Sequence, residues 1–433
     1  MNKENVTSFV HSHQHVTALC VICLLTVCAF LPTFWNGFQM EWDDQWMVMN
    51  PLTTHPLGVS YFIDVFSIPF NGQWGPLNQI LYSVIYSCFG YSPIAFHLFS
   101  LIIHLFNVCL VYLVAFTILS ECETSSLRRA KTMSVITTLF FAIHPLQVES
   151  IAWISASKIV LSSFFYLCAT YLFVLYIRRR STWYYLATII LYCCSYMSKE
   201  NVLTFPLWTS MLCLIYKVPL RSRFFWRTNL PLFVLTLLFG LHLILYVTDY
   251  TSLMEIETYN VAQRITLCSY SLIKYVLLWM FPFGLNWMHS FPVPFGNALP
   301  SWMSVCPYVI LAILTLSWRW VKQPIIASSL LFFLVHLLFV IHLLVLPRNA
   351  VIAERYMYLP IIGLNMILAC LLSSYMPKEC AHKTGGLLLF VLSVLCIIFT
   401  FHRTGQWADS KTLRKGDLKE VNTSEPLIIP LNK

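Results

Sequence analysis

Long apolar runs dominate this chain, and their length sets the first expectation. A helix needs roughly 20 apolar residues to cross a bilayer. Runs of about that kind fall near 16–35, 95–119, 132–147, 159–177, 183–197, 202–216, 229–248, 302–318, 324–346, 359–376 and 385–401. They predict about eleven spanning helices. Barrel strands would instead show alternating segments of about ten residues. A further stretch, 263–282, carries Arg264 and Lys274 and stops at Phe281-Pro282-Phe283-Gly284, so it is expected to be an interfacial or re-entrant helix. In the loop after the first run, Leu77, Ile80, Leu81, Val84, Ile85 and Phe89 recur at helical spacing, the pattern of a helix lying on a membrane surface. The fold class expected is an all-α polytopic membrane protein. Its parts are an N-terminus at 1–15, a membrane domain at 16–402 with a first outer loop at 36–92, and a polar tail at 403–433. The first run lacks a small-residue cleavage site and reads as a retained helix.

Composition narrows the choice further. Only 10% of the 433 residues are charged while 58% are hydrophobic, against about 25% charged in a soluble domain. A single soluble core stops growing at about 250–300 residues. A soluble enzyme, a nucleic-acid-binding module and a disordered chain are therefore excluded. The net charge of +9 does not restore nucleic acid as a partner, because the basic residues sit in short clusters between apolar runs. With the N-terminus in the cytoplasm, Arg128, Arg129, Lys131, Arg178, Arg179, Arg180, Lys217, Arg221, Arg223 and Arg227 fall inside. Lys3, Arg319, Lys322, Lys378 and Lys383 join them, making 15 of the 27 basic residues, and the C-terminal tail falls outside. Most of the 15 cysteines lie within or beside apolar runs, where they act as small hydrophobes.

The acids mirror this distribution. The first outer loop holds Glu41, Asp43, Asp44 and Asp64 and no Lys or Arg; Glu149, Glu200, Asp249, Glu255, Glu257 and Glu354 fall at other outer loops or helix ends. A charge at mid-membrane costs on the order of 3 kcal/mol, so acids gathered at one face suggest a water-accessible chamber there; the bland alternative is a solvated loop face.

Four segments could carry chemistry. In Glu41-Trp42-Asp43-Asp44, one carboxylate of the doublet could serve as a general base, or the pair could hold a divalent cation with Glu41; a solvated acidic turn is the alternative. His144-Pro145-Leu146-Gln147-Val148-Glu149 closes a helix and offers His144 and Glu149 to the chamber, although a helix-end histidine is more often structural. Lys199, in Ser198-Lys199-Glu200-Asn201, could bind a phosphate or simply pair with Glu200. Arg355 offers a planar fork to a phosphate, with Glu354 beside it to orient the guanidinium; the alternative is an arginine snorkelling at a helix end. No Ser-His-Asp triad, P-loop, dinucleotide fingerprint or zinc site is present in the sequence.

Taken in this order, the segments resemble the membrane half of the transmembrane and tetratricopeptide-repeat O-mannosyltransferase-like proteins, especially their bacterial branch. The resemblance rests on Asn36-Gly37-Phe38, Trp42-Asp43-Asp44, Asn50-Pro51, Trp74-Gly75-Pro76-Leu77 and His97-Leu98. It continues through His144 to Trp153, Ser198-Lys199, Phe281-Pro282 and Glu354-Arg355-Tyr356-Met357-Tyr358-Leu359-Pro360. It implies a C-type glycosyltransferase fold and a multi-pass enzyme at the extracytoplasmic face, in a bacterial inner membrane ahead of the endoplasmic reticulum. The implied donor is a polyprenyl-phosphate sugar, mannose by the family name, and the acceptor is a protein hydroxyl or glycan. The catalytic acid would fall on Asp43 or Asp44. The lipid phosphate would fall on Arg355 and Lys199, with His144 as a further candidate and Glu41, Glu149 and Glu354 in support. No metal ligand set is assigned. Gly75 stands where relatives often carry Arg or Gln, Lys158-Ile159 where a basic residue followed by Asp is expected, and the tetratricopeptide repeats do not follow Arg403–Lys433. Those departures keep a non-catalytic membrane scaffold in view; a second rival is a lipid-linked-sugar transporter, which needs polar groups through the whole membrane depth. The transporter is disfavoured by spans such as 159–177 and 385–401, which carry almost no ionisable residues.

Overall fold

A computed structural model describes residues 3–67, 69, 73–123, 126–251, 259–293, 297–343, 350–374 and 381–421. Glu255, Glu257, Lys378 and the tail beyond 421 lie outside the described residues, as do the side chains of Lys3, Asp249 and Lys383. The first helix, α1 (Lys3–Ala29), leads through a tight turn at Leu31–Trp35 into a loop with four helices, α2 (Asp44–Met47), α3 (Pro51–Thr54), α4 (Val59–Ser67) and α5 (Pro76–Phe89). Then come α6 (Pro93–Cys122), α7 (Leu127–Ile143), α8 (Val148–Ala152), α9 (Ser157–Arg179), α10 (Thr182–Ser198), α11 (Phe205–Ile215), α12 (Arg223–Thr251) and α13 (Val261–Met280). The remainder is α14 (Cys306–Leu316), α15 (Trp318–Val321), α16 (Pro324–Leu337), α17 (Ile361–Ser374), α18 (Ala381–Gln406) and α19 (Ser410–Val421). Among the described residues the only β pairing is one isolated bridge between His289 and Ile352.

The expectation of an all-helical chain holds among the described residues, while eleven crossings are not shown. Among the described residues, four helices are long and apolar enough to cross a membrane: Pro93–Cys122, Ile154–Arg179, Arg223–Leu245 and Gly385–Gln406. The bent pair Leu127–Ile143 and Pro145–Ala152 makes a fifth if it is one span. Other apolar runs form shorter helices, such as Pro324–Leu337 and Ile361–Ser373. Helices α11, α14 and α16 each carry proline within their first two positions, where its missing N–H costs nothing; tight turns of helix at Glu200–Thr204 and Ser301–Val305 lead into the first two. A helix forms over 76–89 as α5, and the stretch 263–282 forms α13, opened by a reciprocal capping box between Asn260 and Gln263.

Helices α6 and α9 are central, with 56% and 61% of their apolar windows buried, whereas α12 and α18 are peripheral at 17% and 11%. Helix α17 lies between α7 and α16. Gly363 permits the approach of α17 to α16: a Cβ there would run into Ser329 O and stand 2.8 Å from Phe333 N. Small residues at a helix crossing let backbones meet in this way.

Candidate functional site

Pro145 has no N–H, and its ring forces the preceding residue out of helical geometry, so His144 sits at φ −75°, ψ 136° and α7 ends. The chain resumes bent by 55°, which carries Glu149 on α8 into the interior, where it is fully buried. There Glu149 Oε2 accepts the Arg355 backbone N–H at 2.7 Å, and Oε1 pairs with the Arg355 guanidinium. The guanidinium also lies 5.3 Å from the ring centre of Trp153 and 5.1 Å from that of Tyr356, within cation–π range.

Glu354 was expected to orient Arg355 and does not. Residues 354–357 form a tight three-residue-per-turn helix, in which neighbours point about 120° apart. The Glu354 carboxylate is consequently fully buried on another side, accepting from Asn286 N at 2.5 Å and lying 3.6 Å from His289 Nε2 and 3.8 Å from the Arg403 guanidinium. Glu149 holds Arg355 instead.

The acidic doublet divides in the same manner. Asp44, the first residue of α2, is fully buried; Oδ2 accepts Gln39 N at 2.8 Å, and Oδ1 accepts Ser155 N at 2.9 Å together with the Ser155 hydroxyl. Burial pushes its carboxyl up to about 6, against the lowering effect of these hydrogen bonds and with a smaller upward push from the Asp43 charge. Asp43 is partly exposed, and among the described residues its carboxylate makes no hydrogen bond. It lies within electrostatic reach of both Lys158 and Arg355.

Lys199 closes α10 and pairs with Glu200. Lys158, in the first turn of α9, donates to Gln73 Oε1 at 2.5 Å. These residues line a cleft with Trp74, Asn78, Tyr82 and Ser198, and its free volume of about 40 Å³ admits water; a sugar enters only as lining side chains turn aside. Gly75 is packed at its wall, where a Cβ would stand 3.2 Å from Ser198 O. Lys158 and Lys199 stand in the cleft wall, while Asp43 and Arg355, outside its lining, are within electrostatic reach of Lys158; an anion can rest against the lysines and a proton can pass to Asp43.

Two candidates stand apart from this group. His144 is committed to the fold: its Nδ1 accepts Leu146 N at 3.1 Å, which leaves Nε2 as the donor to Trp279 O at 3.0 Å. Glu41 turns to Arg414 at 2.8 Å and not to the aspartates. Among the described residues no group of three or more His, Cys, Asp or Glu side chains comes together as a metal would require.

The end of α18 and the segment after it close over the first loop. Asn36 Nδ2 donates to Thr404 O at 2.9 Å, Gly37 N to Ala408 O at 2.8 Å, and Gln39 Nε2 to Trp407 O at 2.7 Å. The Ser410 hydroxyl reaches Gln39 Oε1 at 3.2 Å. Gln39 thus joins this strap to Asp44, and Asp44 to Ser155. Sequence reasoning missed Gln39, Ser155, Gln73, His289 and Arg403, since neutral or isolated residues carry no local signal. Lys158 has one, as a basic residue at the outer end of a run and as the basic half of the expected pair whose acid is replaced by Ile159.

No family model matches the chain. It is 25% identical over 201 residues to the Protein O-mannosyl-transferase Tmtc1 of Drosophila melanogaster, a match covering 45% of this chain and 22% of that protein. The chain therefore spans about a fifth of that relative's length, and the likeness supports at most a distant relationship to a glycosyltransferase of this kind.

Proposed function

We propose that this chain is a membrane glycosyltransferase of the C-type fold. It moves a sugar, mannose by the resemblance, from a polyprenyl-phosphate donor to the hydroxyl of a protein or glycan at the extracytoplasmic face. The N-terminus is then cytoplasmic and the tail extracytoplasmic, the orientation favoured by the basic clusters. The observation that carries the reading is Asp43: a carboxylate without a hydrogen bond among the described residues, in the field of Lys158 and Arg355.

In this reading Asp43 is the general base. A base near the working pH is the better proton acceptor, which on that ground alone favours Asp44. Reach decides otherwise, because both Asp44 oxygens are occupied and the side chain is fully buried. Asp44 is the positioning residue that fixes α2. The acceptor oxygen attacks the anomeric carbon, its proton passes to Asp43, and the bond from carbon to phosphate oxygen breaks with its electron pair left on the phosphate. One displacement inverts the anomeric centre. Arg355 and Lys199 stabilise the departing phosphate electrostatically, with Arg355 held for that task by Glu149.

The test is transfer of radiolabelled mannose from dolichyl-phosphate mannose, and from the undecaprenyl equivalent, to Ser/Thr-containing peptides by purified protein in lipid nanodiscs. Asp43→Asn is expected to lower kcat about 100-fold or more with little change in donor KM. Wild-type turnover in Asp43→Asn overturns the assignment.

A further inference from the structure

We propose that Lys158 is a phosphate ligand of this site, taking the charge that appears on the lipid phosphate as the sugar leaves; the proposal rests on the glycosyl-transfer reading above. Lys158 and Lys199 line the cleft, and Arg355 acts on Lys158 from outside it. Arg355 has Glu149 as its carboxylate and Lys199 has Glu200. Among the described residues Lys158 has none within ion-pair distance, and its ammonium is met by the neutral amide of Gln73 at 2.5 Å. It nonetheless sits in the field of Lys199 and Arg355, which repel it, and of Glu200 and Asp43, which attract it. A compact ammonium so placed gains most from an anion that enters the cleft.

The reaction's own charge balance gives that anion and its timing. The donor is a phosphodiester with one negative charge; cleavage of the carbon–oxygen bond leaves a monoester that carries up to two. In the same displacement Asp43 takes the acceptor's proton and becomes neutral. Lys158 therefore loses one negative neighbour as another grows beside it. Interactions that strengthen in this way lower the barrier, while those equal in ground and transition states do not. Lys158 shares the cleft wall with Lys199 and Glu200 and is within electrostatic reach of Arg355.

The probe is farnesyl phosphate, a lipid monoester without sugar, titrated against full-length protein in phosphatidylcholine nanodiscs and read by tryptophan fluorescence, with Trp74 in the cleft wall as reporter. Farnesol and inorganic phosphate are the control ligands. Lys158→Met is expected to weaken farnesyl phosphate binding about tenfold or more, and Lys158→Arg by less than about threefold, with farnesol unaffected. Gln73→Glu, which leaves Lys158 intact but gives it a competing carboxylate, is expected to weaken binding several-fold. Wild-type affinity in Lys158→Met overturns the proposal, and so does inorganic phosphate that binds as tightly as the lipid monoester. Lysine-dependent binding by a wild-type protein that moves no sugar would uphold the phosphate site and defeat the transferase reading.

Discussion

Asp44 makes a prediction with a definite sign. Its carboxyl is raised in the folded protein from 3.8 to about 6. Below 3.8 the group is protonated in both folded and unfolded chains. As pH rises, the unfolded chain gives up the proton first, so the favourable contribution of protonated Asp44 is lost through the window from 3.8 to about 6 and is level above it. The shift corresponds to about 3 kcal/mol at about 1.4 kcal/mol per pH unit. Asp44→Asn removes the titration. An amide supplies only one of the two acceptor oxygens, so a constant penalty of roughly 1–3 kcal/mol is added at every pH. The pH dependence of the difference is therefore the informative quantity. Reversible unfolding in mixed detergent micelles, run on both proteins from pH 4 to pH 7, should show wild type losing about 2.4 kcal/mol relative to Asp44→Asn, most of it before pH 6. A difference that stays level across that range would refute the claim that Asp44 is buried as described.

Two further outcomes follow from packing and charge. Gly363→Val should destabilise the protein by at least about 2 kcal/mol by forcing α17 from α16, measured in the same unfolding assay, because the added carbons meet backbone atoms of Ser329 and Phe333. Glu149→Gln leaves the Arg355 guanidinium partly buried without its carboxylate; about 3–5 kcal/mol is the usual cost of breaking a buried pair. Donor KM in the nanodisc assay should rise as the guanidinium loses its orientation, and an unchanged KM would show that Glu149 does not position Arg355.

Much of the fold was legible because two signals are local. Apolar run length marks helices, and the proline in His144-Pro145 marks a break, so Glu149 could be placed near a helix end. Lys199 beside Glu200 was also legible as a pair. What adjacency hides is direction. Asp43 and Asp44 are identical side chains one residue apart, yet the backbone of α2 sends one into the interior and leaves the other partly exposed. The same holds for Glu354 and Arg355, where the turn at 354–357 gives the guanidinium to a carboxylate 206 residues away. Gly75 and Ile159 stand as departures from a family pattern; the space beside the first is taken by Ser198 O, and the second is buried in the core. The count of crossings was the least legible feature, because an apolar run does not reveal whether its helix continues through it.

The strap at the end of α18 carries a topological consequence. Asn36 and Thr404 are bonded across 368 residues, and Gln39 with Trp407 across the same interval. Groups that share hydrogen bonds lie on one side of a bilayer. The chain between them must then pass through the lipid an even number of times, however many of its apolar helices go fully across. Biosynthesis meets the same condition as a delay: the loop that carries Asp43 is translated early and waits for nearly the whole membrane domain before its last bonds close.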